Sequence, residues 1–346
     1  MTQPKQRLEA PHRRLESTPP RVVEKAAVVG YRLMSAVLEV VPPAISRGVI
    51  GGASQLSYLA WPAKRAYSNV NFGHVLGLSP RDPRVARMAL RAYREYARYM
   101  VELMRLPSRS RDELADGMEG DGIDVIAGNW AVSGRPMIVV AGHVGNNEAV
   151  AAAIASRGYP TNVIADDSSF PEIFEILREQ RESWGVHVIP WRNLRELFSV
   201  LRRNEILALL VDWGYRADGI PVQLFGAWTT LPAGPATLAA KTGAIIAPIA
   251  VRRTKGGRVR VQSFEQFFVP TSDPAELQRA TQRIAAALEA TVRAAPTQWY
   301  SFKPVWPTDP AEAEDLAARA AIMQSGRPDP GPSRVPVGTQ GEGAGS

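Results

Sequence analysis

The sequence predicts an α/β domain, a mainly parallel central sheet of about seven strands flanked by helices, with an extra helical layer in front of it. Three observations predict it. Residues 22–106 carry helical periodicity without a strand signal. From Pro136 onward, short apolar runs alternate with amphipathic stretches, the pattern of a sheet covered on both faces. The first of those runs, Pro136 to Val140, is apolar at every position, as a strand buried on both sides requires.

The opening stretch, 1–21, is polar and rich in proline, so it is expected to be a disordered tail. It lacks the apolar core of a secretory signal, which leads to the expectation of a cytoplasmic protein. Four helical pieces follow, over 22–41, 44–61, 64–77 and 84–107. The most apolar of these, 26–45, is interrupted by Arg32, Glu39 and the pair Pro42-Pro43, so it lacks the uninterrupted run of about 20 residues that a spanning helix needs. Bulky residues such as Leu33, Met34, Val37 and Leu38, combined with Lys25, Arg32, Arg47, Lys64 and Arg65, suit helices lying on an anionic leaflet, or else a helical layer packed on the core. Residues 22–62 are therefore expected to associate with a membrane without crossing it.

Strands are expected at 137–140, 162–165, 186–190, 206–211, 222–225, 245–251 and 259–263. Helices are expected between several of them, at 147–156, 171–184, 194–203 and 235–242, with a long one at 274–295 closing the core. The segment 325–346 is again rich in Pro, Gly and Ser and reads as a second tail. One domain over 22–324 results.

Composition narrows the chemistry. With 45% hydrophobic residues in 346, a sizeable core is possible. A net charge of +7 favours anionic partners. The absence of cysteine excludes disulfides, thiolate nucleophiles and sulfur-ligated zinc. The four histidines, His12, His74, His143 and His187, are too scattered for a histidine-rich metal site, and no bound metal or cofactor is expected. Arginines of 84–100 alternate with apolar residues at helical spacing, a solvated face rather than a nucleic-acid reader, so nucleic acid is not an expected partner.

One stretch stands out, 142-GHVGNNE-148, where a strand gives way to a helix. In open α/β sheets this end of the strands forms the crevice where ligands gather. Gly142 and Gly145 allow a tight turn, Asn146 or Asn147 can cap the helix, and Glu148 falls in its first turn. With four histidines and 34 acids the spacing alone arises readily by chance. Two readings fit. In one, His143 is a hydrogen-bonded turn residue and Glu148 complements the helix dipole. In the other, the imidazole takes a proton from a substrate hydroxyl while a carboxylate orients the ring. The second needs no protein nucleophile, in keeping with a chain that lacks G-x-S-x-G, cysteine and a phosphate-binding G-x4-G-K-[ST] loop.

GHVGNNE resembles the H-x4-[D/E] block of the bacterial lipid acyltransferases that include the lipid A late acyltransferases and the phosphatidylinositol mannoside acyltransferases. Blocks at 92–107, 171–190, 207–226, 232–253 and 298–307 follow in the order that family shows, so the resemblance spans about 25–310. It implies a glycerolphosphate acyltransferase-like fold, His143 as general base and Glu148 as its acidic partner. It implies an acyl thioester donor, acyl-CoA or acyl carrier protein, and a membrane lipid acceptor. The implied location is the cytoplasmic face of the plasma (inner) membrane. One departure stands out: the mannoside acyltransferases carry a further acid in the short strand before F-F-G, where this chain reads 220-IPVQLFG-226. If that acid orients the histidine, Asp212, Asp218 or Glu148 takes its place here.

Further substrate-binding candidates are Asn146 at the turn, Arg192 after one strand as a phosphate ligand or else a solvated arginine, and Asp212 after another as an acceptor-hydroxyl ligand or a cap. Gly234 and Pro235 open the small-residue block 232–243, which fits an acyl-chain wall or ordinary helix packing. Trp299, Tyr300, Phe302 and Trp306 read as core and lid aromatics. The expected reaction is acyl transfer to a glycolipid of phosphatidylinositol mannoside type. The alternatives are a lipid A or lysophospholipid acyltransferase and a lipid-binding protein without turnover.

Overall fold

The computed structural model describes residues 21–167 and 170–333. Residues 1–20 and 334–346 of the two expected tails lie outside it. Within 325–333, Asp329 pairs with Arg319 at 2.7 Å, and Arg319 also donates to the carbonyls of Ala217 and Gly219.

Four helices precede the sheet: α1 (Arg21–Val40), α2 (Pro43–Ala60), α3 (Pro62–Leu76) and α4 (Pro83–Arg105). Their limits follow from local chemistry. Prolines open α2, α3 and α4, where a missing N–H leaves no helical bond unmade. Asp82 caps α4 by accepting from the amide of Arg84 at 2.8 Å, and Gly77 ends α3 in the left-handed conformation. Helix α2 lies along α4, tied by Ser54 Oγ to the Tyr93 carbonyl (2.8 Å) and Gln55 Nε2 to that of Leu90 (3.1 Å). Among the described residues no helix is long and apolar enough to cross a membrane.

The remaining elements are α5 (Arg111–Asp116), β1 (Met118–Glu119), α6 (Gly122–Ser133), β2 (Met137–Ala141), α7 (Asn147–Ser156), β3 (Thr161–Ala165), α8 (Pro171–Ser183) and β4 (Val186–Pro190). They continue with α9 (Leu194–Arg202), β5 (Ile206–Leu210), β6 (Ile220–Leu224), β7 (Ala227–Leu231), α10 (Gly234–Thr242), β8 (Ile245–Arg253), β9 (Val259–Ser263), α11 (Pro274–Ala294) and α12 (Pro310–Gln324). The central sheet has seven strands in the order β1-β9-β8-β2-β5-β3-β4, parallel except where β9 runs against β8. This is the expected α/β class, with one exchange of strands. The run expected at 222–225 belongs to β6, which leaves the sheet and pairs with β7 as a hairpin, while the two-residue β1 takes the seventh place. The hairpin turns at Phe225 and Gly226, both with positive φ (52° and 74°), the backbone of a tight two-residue connection. A phenylalanine there gives no turn signal, so β7 was not expected.

Strand β2 is buried on both faces. Ile138 and Val140 join one core with α3, α4, α9, α10 and α11, whereas Met137, Val139 and Ala141 join another with α5, α6 and α7. Each buried aliphatic side chain contributes about 1.5–3 kcal/mol, which fixes the register of β2 against β5 and β8.

Helix α1 sits outermost. Its inner face is specific: Glu24 is buried and accepts from the Glu172 amide at 2.8 Å, and Tyr31 donates to Gln180 at 3.1 Å. Its outer face leaves Leu33, Met34 and Val37 exposed, as do Ile45, Val49, Leu56 and Leu59 on α2. Leu38 departs from expectation. It is 1% exposed and packs inward, because a helix between protein and solvent buries one stripe of its apolar residues.

Candidate active site

Strand β2 ends at Ala141, and its neighbour β5 ends at Leu210 in matched register, so His143 and Asp212 leave the sheet side by side. Asp212 Oδ1 lies 2.7 Å from His143 Nδ1, and both carboxylate oxygens accept from the His143 amide (2.9 and 3.0 Å). Trp299 Nε1 donates to Oδ2 at 2.8 Å. The Asp212 side chain is 0% exposed while that of His143 is 23% exposed, so the imidazole is the only member of the pair that meets the crevice. No protein group among the described residues binds its Nε2.

Burial on its own pushes the Asp212 carboxyl up. The charge of His143, its ring and amide hydrogen bonds, and the Trp299 indole outweigh that, and the net shift is downward. Asp212 is therefore an ionised acceptor of Nδ1–H, which selects the tautomer whose Nε2 lone pair faces the crevice.

Two glycines make the approach possible. A Cβ at Gly142 would run into Leu288 and come within 3.0 Å of Asp212 Oδ2; Gly145 has φ 71°, and a Cβ there would sit 2.7 Å from the Val251 carbonyl. The turn is clamped from outside. Gly145 donates to the Gln298 carbonyl (3.1 Å), and Tyr300 donates to that of His143 (2.8 Å). The Gln298 side chain bonds both the amide and the carbonyl of Arg253. The amides of His143, Val144 and Gly145 are all engaged within the protein, so an oxyanion donor is not among these three.

Asn146 caps α7, accepting from the Ala149 amide at 3.1 Å, and donates to Glu102 at 3.3 Å. It is buried behind the turn. Asn147 donates to the carbonyls of Gly142 and Val144. Behind them, buried Arg253 pairs with Glu95 (2.7 Å) and Glu102 (3.0 Å).

Glu148 faces elsewhere. Arg181 of α8 grips it with two hydrogen bonds, 2.6 and 2.9 Å. Burial alone pushes the Arg181 guanidinium down, but Glu148 outweighs it and the net shift is upward. Asp218, the third candidate for an orienting acid, pairs with Arg216 on the surface.

The other candidates lie apart from His143. Arg192 is exposed at the end of edge strand β4, against the Trp191 ring, three strand positions from β2 and so on the order of 14 Å away. Gly234 is exposed and Pro235 buried at the start of α10, on the same end of the sheet as the turn. Three contributors were not anticipated in these roles: Trp299, Arg181 and Trp213. The Trp213 ring lies 5.2 Å from the imidazole, with Lys303 4.4 Å above it. Asn71 holds that wall, donating to the carbonyls of Ser301 and Lys303 and accepting from the Val305 amide. The adjacency of Trp213 to Asp212 was the one sequence signal for it. No group of three or more His, Asp or Glu side chains that could hold a metal occurs among the described residues.

The model of the bacterial lipid A biosynthesis acyltransferase family matches residues 22–308. The chain is 27% identical over 296 residues to a phosphatidylinositol mannoside acyltransferase of Mycolicibacterium smegmatis, covering 84% of this chain and 93% of that protein. Two Mycobacterium tuberculosis proteins of the same description are 26% identical, each over 72% of this chain and 79% of their own length.

Proposed function

The chain belongs to the bacterial lipid A biosynthesis acyltransferase family and is an O-acyltransferase, and from that premise we propose that it acylates a phosphatidylinositol mannoside-type glycolipid, with His143 as general base and Asp212 as the carboxylate that orients it. The observation that carries this is the 2.7 Å contact between a buried carboxylate and an imidazole whose other nitrogen meets the crevice.

Nε2 of His143 takes the proton of an acceptor hydroxyl as the oxygen attacks the thioester carbonyl of acyl-CoA or acyl carrier protein. The tetrahedral intermediate collapses, the C–S bond breaks, and the imidazolium returns its proton to the thiolate. Asp212 stabilises the charged ring throughout and is itself never protonated. The reaction requires no bound metal, and activity is expected to survive EDTA.

The phosphatidylinositol mannoside acceptor is favoured by the likeness to three phosphatidylinositol mannoside acyltransferases. The enzyme sits peripherally on the cytoplasmic face of the plasma membrane, its anionic surface met by the exposed apolar residues of α1 and α2. The test is transfer of a labelled acyl group by His143→Ala. Loss of activity on the order of 10²-fold or more with the fold retained is expected; a folded variant that keeps a tenth of the wild-type kcat refutes the assignment. A panel of lipid A precursor, lysophospholipid and mannosylated phosphatidylinositol acceptors separates the acceptor classes.

A further inference from the structure

On α4, at 3.6 residues per turn, Arg84, Arg87, Arg91, Arg94, Arg98 and Arg105 fall within a stripe about 80° wide. The ends of this ladder are matched: Arg84 pairs with Asp82, Arg98 with Glu102, and Arg105 donates to the Val41 carbonyl. The middle is not. Arg87, Arg91 and Arg94 are exposed and form no close ion pair among the described residues, Arg87 reaching Asp82 only through its longer-range charge. The contrast with α8 and α11 is marked, because Arg178, Arg181, Arg279, Arg283 and Arg293 there each pair with an acid. The nearby acids of α4 do not serve the middle of the ladder, since Glu95 and Glu102 turn to buried Arg253.

Two further features give this face a direction. Arg84, Arg87 and Arg91 rim a groove of about 380 Å³ floored by Leu76, Leu78 and Met88. Arg94 lies against Gly51 of α2, where an added Cβ would meet its Cγ at 3.2 Å. The ladder therefore borders the helix whose outer face shows Ile45, Val49, Leu56 and Leu59 to solvent. Unmatched guanidiniums beside an exposed apolar face fit a bilayer, whose hydrocarbon takes the one and whose headgroup phosphates take the other, each accepted by a planar fork of donors. An acidic protein partner answers only the arginines.

We infer that the α4 arginine ladder is a phosphate-reading membrane contact that works alongside the apolar faces of α1 and α2, with anionic phospholipid headgroups as its ligand. The inference rests on the membrane reading above and names what the basic surface recognises.

The experiment is co-sedimentation with vesicles of phosphatidylcholine alone or with added phosphatidylinositol, over a range of salt. Wild type is compared with R87Q/R91Q/R94Q and with L33S/M34S/V37S. The arginine variant is expected to bind anionic vesicles on the order of 100-fold more weakly at low salt, about fivefold for each residue, and to show a shallower salt dependence than wild type. On neutral vesicles it should match wild type. The α1 variant should weaken on both. If wild type binds no vesicle, the membrane reading and the ladder fall together. If wild type binds through α1 and the arginine variant binds equally well, or weakens equally on neutral lipid, the ladder alone is refuted. An arginine variant with unchanged vesicle binding but a raised KM for a carrier-protein-linked donor refutes it in favour of an acidic protein. Circular dichroism of each variant confirms that the helix is retained, as exposed Arg-to-Gln exchanges on a helix predict.

Discussion

The two ends of the short block His143 to Glu148 meet different partners. At one end a carboxylate just past the end of β5, buried to 0% exposure, faces an imidazole that can gain and lose a proton. At the other a carboxylate on α7 faces a guanidinium that cannot. Both are close contacts, at 2.7 and 2.6 Å, yet only the first can handle a proton. The second joins α7 to α8 and so holds the helix that begins at the turn. Proximity of an acid to a histidine along the chain is thus a poor guide to its role; the partner's titration range decides it.

The largest expected effect breaks the first pair. Asp212→Asn keeps the shape but loses the charge, and kcat is expected to fall by about 10²–10⁴-fold with KM little changed. A drop under tenfold in steady-state transfer removes Asp212 from the mechanism. Glu148→Gln sharpens the contrast: about 1–3 kcal/mol of stability is expected to go because Arg181 is left half-buried without its counter-ion, with kcat reduced roughly tenfold. Urea titration measures the first and a rate assay the second. If Glu148→Gln is as damaging to kcat as Asp212→Asn, the division of labour is wrong. Replacing both partners, E148Q with R181M, should destabilise less than the two single changes added together.

Trp299→Phe keeps an aromatic ring but deletes the donor to Asp212 together with part of the buried indole's volume. A loss of about 1.5–3 kcal/mol in denaturant stability is expected, since the acceptor is charged and buried. The smallest effect concerns pH. Because the Asp212 carboxyl is held below its unfolded value, its contribution to stability is complete above the ordinary carboxylate range and disappears as pH falls through the folded value. The stability gap between wild type and Asp212→Asn should therefore be constant near neutrality and narrow on acidification below about pH 4. A gap that widens in acid has the wrong sign and contradicts a depressed carboxyl.

Much of the scaffold was legible, because strand burial writes itself into composition. The unbroken apolar run of β2 and the glycines of GHVGNNE placed His143 correctly at the carboxyl end of the sheet. The pairing with Asp212 was only one option among three, since the partners are 69 positions apart and meet because β5 lies beside β2 in space. Glu148 looked closer along the chain, but the first turn of α7 carries it to α8. Trp299 carried no polar signal beyond one indole N–H, so it read as an ordinary core aromatic. Leu38 was misplaced for a related reason: helical periodicity locates an apolar stripe without saying which side is protein.

Asn71 and Trp299 also set a timetable. Trp299 covers one oxygen of Asp212, and the wall that follows it, through Val305, is pinned by a residue of α3 near the start of the chain. A nascent polypeptide that has emerged only as far as α11 contains the residues of every strand and both members of the pair, but is expected to leave the carboxylate wet and the turn without its Gln298 clamp. Activity is therefore expected only once Trp299 and its wall are in place, and proteolytic nicking just before Trp299 is expected to silence the enzyme while leaving its sheet whole.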